Sequence, residues 1–186
     1  MRGVLTISLW ILLSTLCVLG CKRGKVKELL PQQMVVSKDK QRLEDVNKYL
    51  SDKELDVLQA YVQRQQLKME RTASGYYMEL LKAGKGNIVA AGDAVRLVGK
   101  VWLLDGMLCY VYDIQHPLEL VVNGSAGITG LHMAAQGLKE GSKVRLLFPS
   151  YLAYGLMGDG DKIPPRSAIV CEFEVVKVAK NSYSTF

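Results

Sequence analysis

The chain has 186 residues, 49% of them apolar, and a formal charge of +6. That length and apolar content suit one domain with a full core plus a modest appendage, and leave no room for two large domains. The positive excess is mild and scattered, without the basic stripe and interleaved aromatics of a nucleic-acid-binding surface, so that class is set aside.

The first twenty residues read as an export signal. Arg2 supplies a short positive region, Val4 to Leu19 is almost continuously apolar, and Val18-Leu19-Gly20-Cys21 places a small residue before a cysteine. This ending resembles a lipoprotein lipobox, although the pattern favours leucine at Val18 and a small residue at Leu19. The expectation is a signal peptide over 1–20 and a lipid on Cys21. The alternative is an uncleaved anchor, for which the apolar run is slightly short; either way the body is exported. Lys22, Arg23, Lys25 and Lys27 follow directly and suit anionic head groups. Lys22 does not resemble the aspartate signal for inner-membrane retention, which points to the outer membrane, facing the periplasm.

Residues 21–37 are polar and basic without sustained periodicity, as in a tether. Leu43, Val46 and Leu50 then recur at helical spacing. Ser51-Asp52-Lys53-Glu54 has the form of a capping box and predicts a second helix, with Leu55, Leu58, Val62 and Met69 as its apolar stripe and Tyr61 beside it. The helical segment, 38–71, serves packing or, alternatively, a second chain.

From Thr72 the pattern changes to short β-type runs punctuated by Gly and Asp. Strands are predicted at Tyr76–Leu81, Val95–Leu104, Leu108–Tyr112, Leu118–Val122, Lys143–Phe148 and Ala168–Val178, with Asp105-Gly106 as a hairpin turn. One helix is predicted from Ile128 to Leu138, stopped by Gly141. Five or six antiparallel strands and one amphipathic helix imply an α+β domain, residues 72–180, whose sheet wraps that helix.

Within that domain, Leu152-Ala153-Tyr154-Gly155 and Ile163-Pro164-Pro165, in register with Pro117, Ile128, Gly130 and Gly141, resemble the FKBP family of peptidyl-prolyl cis-trans isomerases. More narrowly, Pro149 to Gly155 with Gly158-Asp159-Gly160 resembles the gliding-motility-associated lipoprotein branch of the Bacteroidetes. The resemblance implies an FKBP-like sheet, no cofactor and no catalytic nucleophile. It assigns the pocket floor to Ile128 and Leu131, the walls to Leu118 and Cys171, and the flanking loop to Ile163. Tyr154 is the implied catalytic residue, its hydroxyl donating to a substrate carbonyl. The family commonly places aromatics at Gly99, Cys109, Leu118 and Cys171 and an acid at Tyr110. This chain therefore implies a wider pocket poor in ring faces, lined by Cys109 and partly refilled by Tyr110. If Cys109 and Cys171 both face it, a disulfide between them is conceivable; the default is two buried free thiols.

There is no metal-ligand spacing and no CxxC. Asp159-Gly160-Asp161 lacks the ligands of a calcium loop and reads as a turn. His116 and His132 read as surface residues. Two functions stay open on this basis. One is a lipid-anchored isomerase assisting folding of exported, proline-containing polypeptides. The other is a weak or inactive FKBP-like binding module or chaperone of an envelope assembly.

Overall fold

The computed structural model describes residues 32–181, with side chains from Lys40 onward. The stretch read as a signal peptide, 1–20, the expected lipidation residue Cys21 and the start of the expected tether lie outside the described residues. Among the described residues no helix is long and apolar enough to cross a membrane.

The chain divides into two compact units, Met1–Asp45 and Val46–Phe186. Helix α1 runs from Gln32 to Arg64, beginning inside the stretch predicted as a tether. It is one helix, not two, and the predicted break at Ser51 is absent. No glycine or proline interrupts 32–64, so nothing stops propagation, and Glu54 is used in a tertiary contact instead of a cap. In the first unit Lys40 and Glu44 form an exposed i,i+4 pair at 3.9 Å, of little energetic weight. Leu43 and Val46 are exposed, and burial of the stripe begins near Leu55. The helix ends in a Schellman motif. Gln66 is left-handed (φ 51°), the Leu67 N–H reaches the Val62 carbonyl at 3.0 Å and the Gln66 N–H that of Gln63 at 3.1 Å. Met69, predicted on the helical stripe, lies beyond this stop but is buried in the same cluster.

The second unit is built on a seven-stranded antiparallel sheet. Its strands are β1 (Glu70–Arg71), β2 (Tyr77–Lys82), β3 (Ala94–Leu103), β4 (Leu108–Tyr112), β5 (Leu118–Val121), β6 (Lys143–Phe148) and β7 (Ile169–Ala179). The order is β1-β2-β6-β7-β3-β4, with β5 also on β3. β4 and β5 share one edge of β3, pairing with Gly99–Trp102 and Ala94–Leu97. Between them the chain leaves the ladder, because Asp113 Oδ1 accepts the N–H groups of Gln115 (2.9 Å) and His116 (2.7 Å) and Pro117 has no N–H to offer.

Two apolar layers sandwich the sheet. On one face Leu58 and Val62 of α1 pack with Tyr77, Leu147, Ala168 and Val170. This makes the second half of α1 part of the sheet's own unit, whereas the sequence suggests a boundary at Thr72. The other face carries helix α2 (Thr129–Ala135) against Val95, Leu97, Val101, Val144, Leu146, Phe148 and Val175. Gly130 lets α2 approach: a Cβ there would stand 2.5 Å from Phe148 Cδ1 and 2.9 Å from the Leu152 carbonyl oxygen.

Helix α2 is shorter than predicted and does not reach Gly141. Gln136 is already extended, Gly137 follows at φ 85°, and the chain is taken over by pairing with residues 86–89. Gly137 N–H bonds the Val89 carbonyl at 3.0 Å and Val89 N–H the Leu138 carbonyl at 2.8 Å. His132 is buried, contrary to its reading as a surface residue. It lies on α2 with Nδ1 accepting the Asn123 N–H at 3.1 Å.

Candidate functional site

At one end of the α2-facing core, Tyr110 and Tyr112 of β4, Leu118 of β5, Ile128 at the start of α2 and Tyr154 in the turn after β6, all only partly buried, pack onto the apolar cluster. A β-bulge in β4 sets the local geometry. Val101 pairs with Tyr110 while Trp102 pairs with Leu108, so Cys109 is the extra residue. The bulge breaks simple alternation, which is why Cys109 is fully buried while Tyr110 and Tyr112 are half-buried in the same cluster.

Tyr154 is delivered by a 3-10 turn, Ser150–Leu152. The Ser150 carbonyl accepts the N–H groups of Ala153 (3.0 Å) and Gly155 (2.7 Å). Ser150 is itself held from α1: the Glu54 carboxylate accepts its N–H at 2.6 Å and its hydroxyl at 2.8 Å. Among the described residues the Tyr154 hydroxyl has no protein hydrogen-bond partner, and it is not sealed from solvent. Burial, reinforced by Tyr112, Cys171, Asp159 and Cys109 around it, pushes its pKa up to about 12. It is therefore a neutral donor at any physiological pH.

The loop between Tyr154 and β7 is closed at its base by the Arg166 N–H to the Gly155 carbonyl, 2.9 Å, and organised by Asp159. Asp159 Oδ1 accepts the N–H groups of Asp161 (2.9 Å) and Ile163 (2.8 Å), and Oδ2 accepts the Tyr110 hydroxyl. Burial works to raise the Asp159 pKa, but the Tyr110 hydroxyl and these backbone donors outweigh it and hold the carboxyl below its usual range. The same bond, with burial behind it, raises the pKa of Tyr110. The predicted turn is thus present and clamps the loop onto β4. The acid that the family resemblance places at position 110 is supplied from Asp159, across a tyrosine.

All eight residues expected at the pocket fall in one apolar cluster. They divide into two kinds. Tyr110, Leu118, Ile128 and Tyr154 are partly exposed and can touch a ligand. Cys109, Leu131, Ile163 and Cys171 are 4% exposed or less and form the floor beneath them. Ile163 is therefore buried support for the loop. Two aromatic residues escape the sequence reading. Tyr112 lies 6.3 Å from Tyr110 and 6.0 Å from Phe173, ring centroid to centroid. Each stands two residues from a predicted site position, Tyr110 or Cys171, so strand alternation was the signal that could have found them. Ring faces thus return to a pocket expected to be poor in them.

Cys109 and Cys171 are free thiols. Their strands pair with opposite sides of β3, which puts their backbones about 9–10 Å apart by strand spacing, beyond the reach of a disulfide. Burial raises both thiol pKa values.

Residues 86–176 match the family of FKBP-type peptidyl-prolyl cis-trans isomerases. The chain is 31% identical over 105 residues to an FK506-binding protein of Neisseria meningitidis serogroup B, covering 56% of this chain and 96% of that one. It is 37% identical over 111 residues to the FKBP-type 22 kDa peptidyl-prolyl cis-trans isomerase of Escherichia coli, covering 58% of this chain and 52% of the relative. A peptidyl-prolyl cis-trans isomerase structure from Pseudomonas syringae superposes with a TM-score of 0.58 at 28% identity, over 70% of this chain and 96% of the other. The crystal structure of FkpA from Escherichia coli shares the fold over 96% of this chain and 82% of its own, with a TM-score of 0.57 at 20% identity. The chain belongs to the FKBP-type peptidyl-prolyl cis-trans isomerase family, and its reaction is rotation about the bond preceding proline.

Proposed function

We propose that the partly exposed apolar surface around Tyr154 is the catalytic site, and that this isomerase serves proline-containing exported polypeptides from a lipid anchor on Cys21. Rotation of a prolyl bond faces a barrier of about 18–20 kcal/mol, and no bond is made or broken. The planar amide is dipolar through resonance, and the twisted transition state has lost that resonance. An apolar surround therefore disfavours the planar form relative to the twisted one, and a fixed donor holds the neighbouring carbonyl. Leu118 and Ile128 supply the apolar contact, Tyr110 and Tyr154 the ring faces, and Tyr154 the donor. The unpartnered hydroxyl of Tyr154, kept protonated by burial, is the observation that carries this assignment.

The envelope part of the proposal rests on the leader, the lipobox-like Val18-Leu19-Gly20-Cys21 and the basic residues after it. The outer membrane, facing the periplasm, is the proposed address. Membership of the gliding-motility-associated lipoprotein branch is proposed on Pro149–Gly155 and Gly158-Asp159-Gly160. Acceleration of cis-to-trans conversion in a short prolyl peptide tests the catalytic site. Metabolic labelling with palmitate tests the anchor: label in the wild type and none in Cys21→Ser supports it, and an unlabelled wild type overturns it. A folded protein that binds prolyl peptides without accelerating them would favour the binding-module reading, which the missing family aromatics at Gly99, Cys109, Leu118 and Cys171 motivate.

A further inference from the structure

Gly99 on β3 faces Tyr112 on β4 and, from its other side, Phe173 on β7. A Cβ on Gly99 would stand 1.9 Å from the Glu172 carbonyl oxygen and 2.8 Å from Phe173 Cδ1. β3 therefore cannot carry a side chain here unless β7 moves. The space left over the glycine is where Tyr112 and Phe173 meet, their ring centroids 6.0 Å apart at 43°. Tyr110 continues the row at 6.3 Å and 29°. Cross-strand aromatics often cover a glycine in this way. The aromatic that the family resemblance puts on β3 has in effect been moved one strand outward.

The tip of Tyr112 is as telling as its ring. Tyr110 spends its hydroxyl on Asp159. Among the described residues the Tyr112 hydroxyl has no protein hydrogen-bond partner, and it is not sealed from solvent. It belongs to the same half-buried rim as Tyr154, and it is among the groups around Tyr154 that help to raise that residue's pKa. A tyrosine fixed by two ring contacts, with a wet and unused donor, has the preorganised form of a ligand contact.

We propose that Tyr112 is a substrate-contacting residue of this isomerase: its ring closes the pocket wall over Gly99, and its hydroxyl is a second donor, beside Tyr154, for a backbone carbonyl of the bound polypeptide. This rests on the assignment of the surface around Tyr154 as the isomerase site. It implies that the substrate is held at two carbonyls and that preference for the residue before proline is set in part from β4.

The test compares the whole chain as wild type, Tyr112→Phe and Tyr112→Leu, by thermal melting and by kcat/KM on short prolyl peptides that differ in the residue before proline. Tyr112→Phe keeps the ring, so its melting should match the wild type while kcat/KM falls about two- to tenfold, the equivalent of one lost hydrogen bond. Tyr112→Leu should fall about twofold or more further, unevenly across the peptide set, because the wall is lost as well. Tyr112→Phe within about twofold of wild type on every peptide overturns the inference, and that variant decides alone if Tyr112→Leu fails to fold. A wild type that accelerates no peptide overturns the site assignment itself, and is told apart because it fails before any substitution is made.

Discussion

Replacing Glu54 by alanine should loosen the turn that carries Tyr154 from a distance of 96 residues in sequence. The Glu54 carboxylate accepts the Ser150 N–H at 2.6 Å and the Ser150 hydroxyl at 2.8 Å, and Ser150 is only 6% exposed. Removing the acceptor leaves a buried backbone donor and a buried hydroxyl without a partner, each costing about 1–3 kcal/mol. The groove beside them, of about 350 Å3 and lined by Asn47, Leu50, Ser51, Tyr151, Leu156 and Arg166, admits water that recovers part of this. The net expectation is a loss of about 2–4 kcal/mol, a large share of a marginal stability. Because the Ser150 carbonyl also holds Ala153 and Gly155 on either side of Tyr154, isomerase activity should fall even at temperatures where the variant is folded. Glu54→Gln retains an acceptor and should lie between. Urea denaturation gives the stability and the prolyl-peptide rate gives the second effect. A Glu54→Ala variant within about 0.5 kcal/mol of wild type would refute the reasoning, since a surface substitution with no buried partner behaves that way.

Four further outcomes are expected. Tyr154 keeps its proton well above the ordinary tyrosine value of 10.0, so the isomerase rate should show no decline assignable to it between about pH 6 and 10. A phenol whose folded pKa is raised binds its proton more tightly than the unfolded chain does. Its contribution to stability is therefore complete below the unfolded value and lost as pH rises from 10.0 towards about 12; melting curves across that range check the sign. Cys109 and Cys171 should both be recovered as thiols by mass spectrometry of unreduced protein, and should resist alkylation until the chain is unfolded. Gly130→Ala should destabilise by about 1–3 kcal/mol in spite of alanine's higher helix propensity, because the new methyl meets Phe148 and the Leu152 carbonyl; unchanged urea midpoints would mean that α2 has room to move.

The strands were legible because their apolar residues alternate or run together between glycine and aspartate turns. Leu108–Tyr112 and Lys143–Phe148 were predicted to the residue. Where tertiary contacts competed with local signals, the local reading failed. Ser51 to Glu54 has the spelling of a helix start, but Glu54 is used to hold Ser150, and no helix breaker stands near. The stretch from Gln136 to Leu138 looks helical in sequence, but pairing with residues 86–89 claims its backbone. His132 reads as a polar surface residue because nothing local announces that Asn123 will bond to it. At the candidate site, the family resemblance pointed to Tyr154 and to apolar residues that the fold gathers into one cluster. It could not supply Tyr112, since the exchange of a β3 aromatic for a β4 one depends on which residues face each other across the ladder, and that register follows from the bulge at Cys109. Asp159 was read correctly as part of a turn, while its hold on Tyr110 needed the fold.

The most direct test of the central claim is the cis-to-trans rate of a short prolyl peptide with wild type and Tyr154→Phe side by side. The account predicts catalysis well above the uncatalysed rate, reduced about three- to tenfold in a variant that melts like the wild type, as expected for one donor lost from the transition state. A folded wild type that accelerates no peptide, or a Tyr154→Phe variant as fast as its parent, would contradict it.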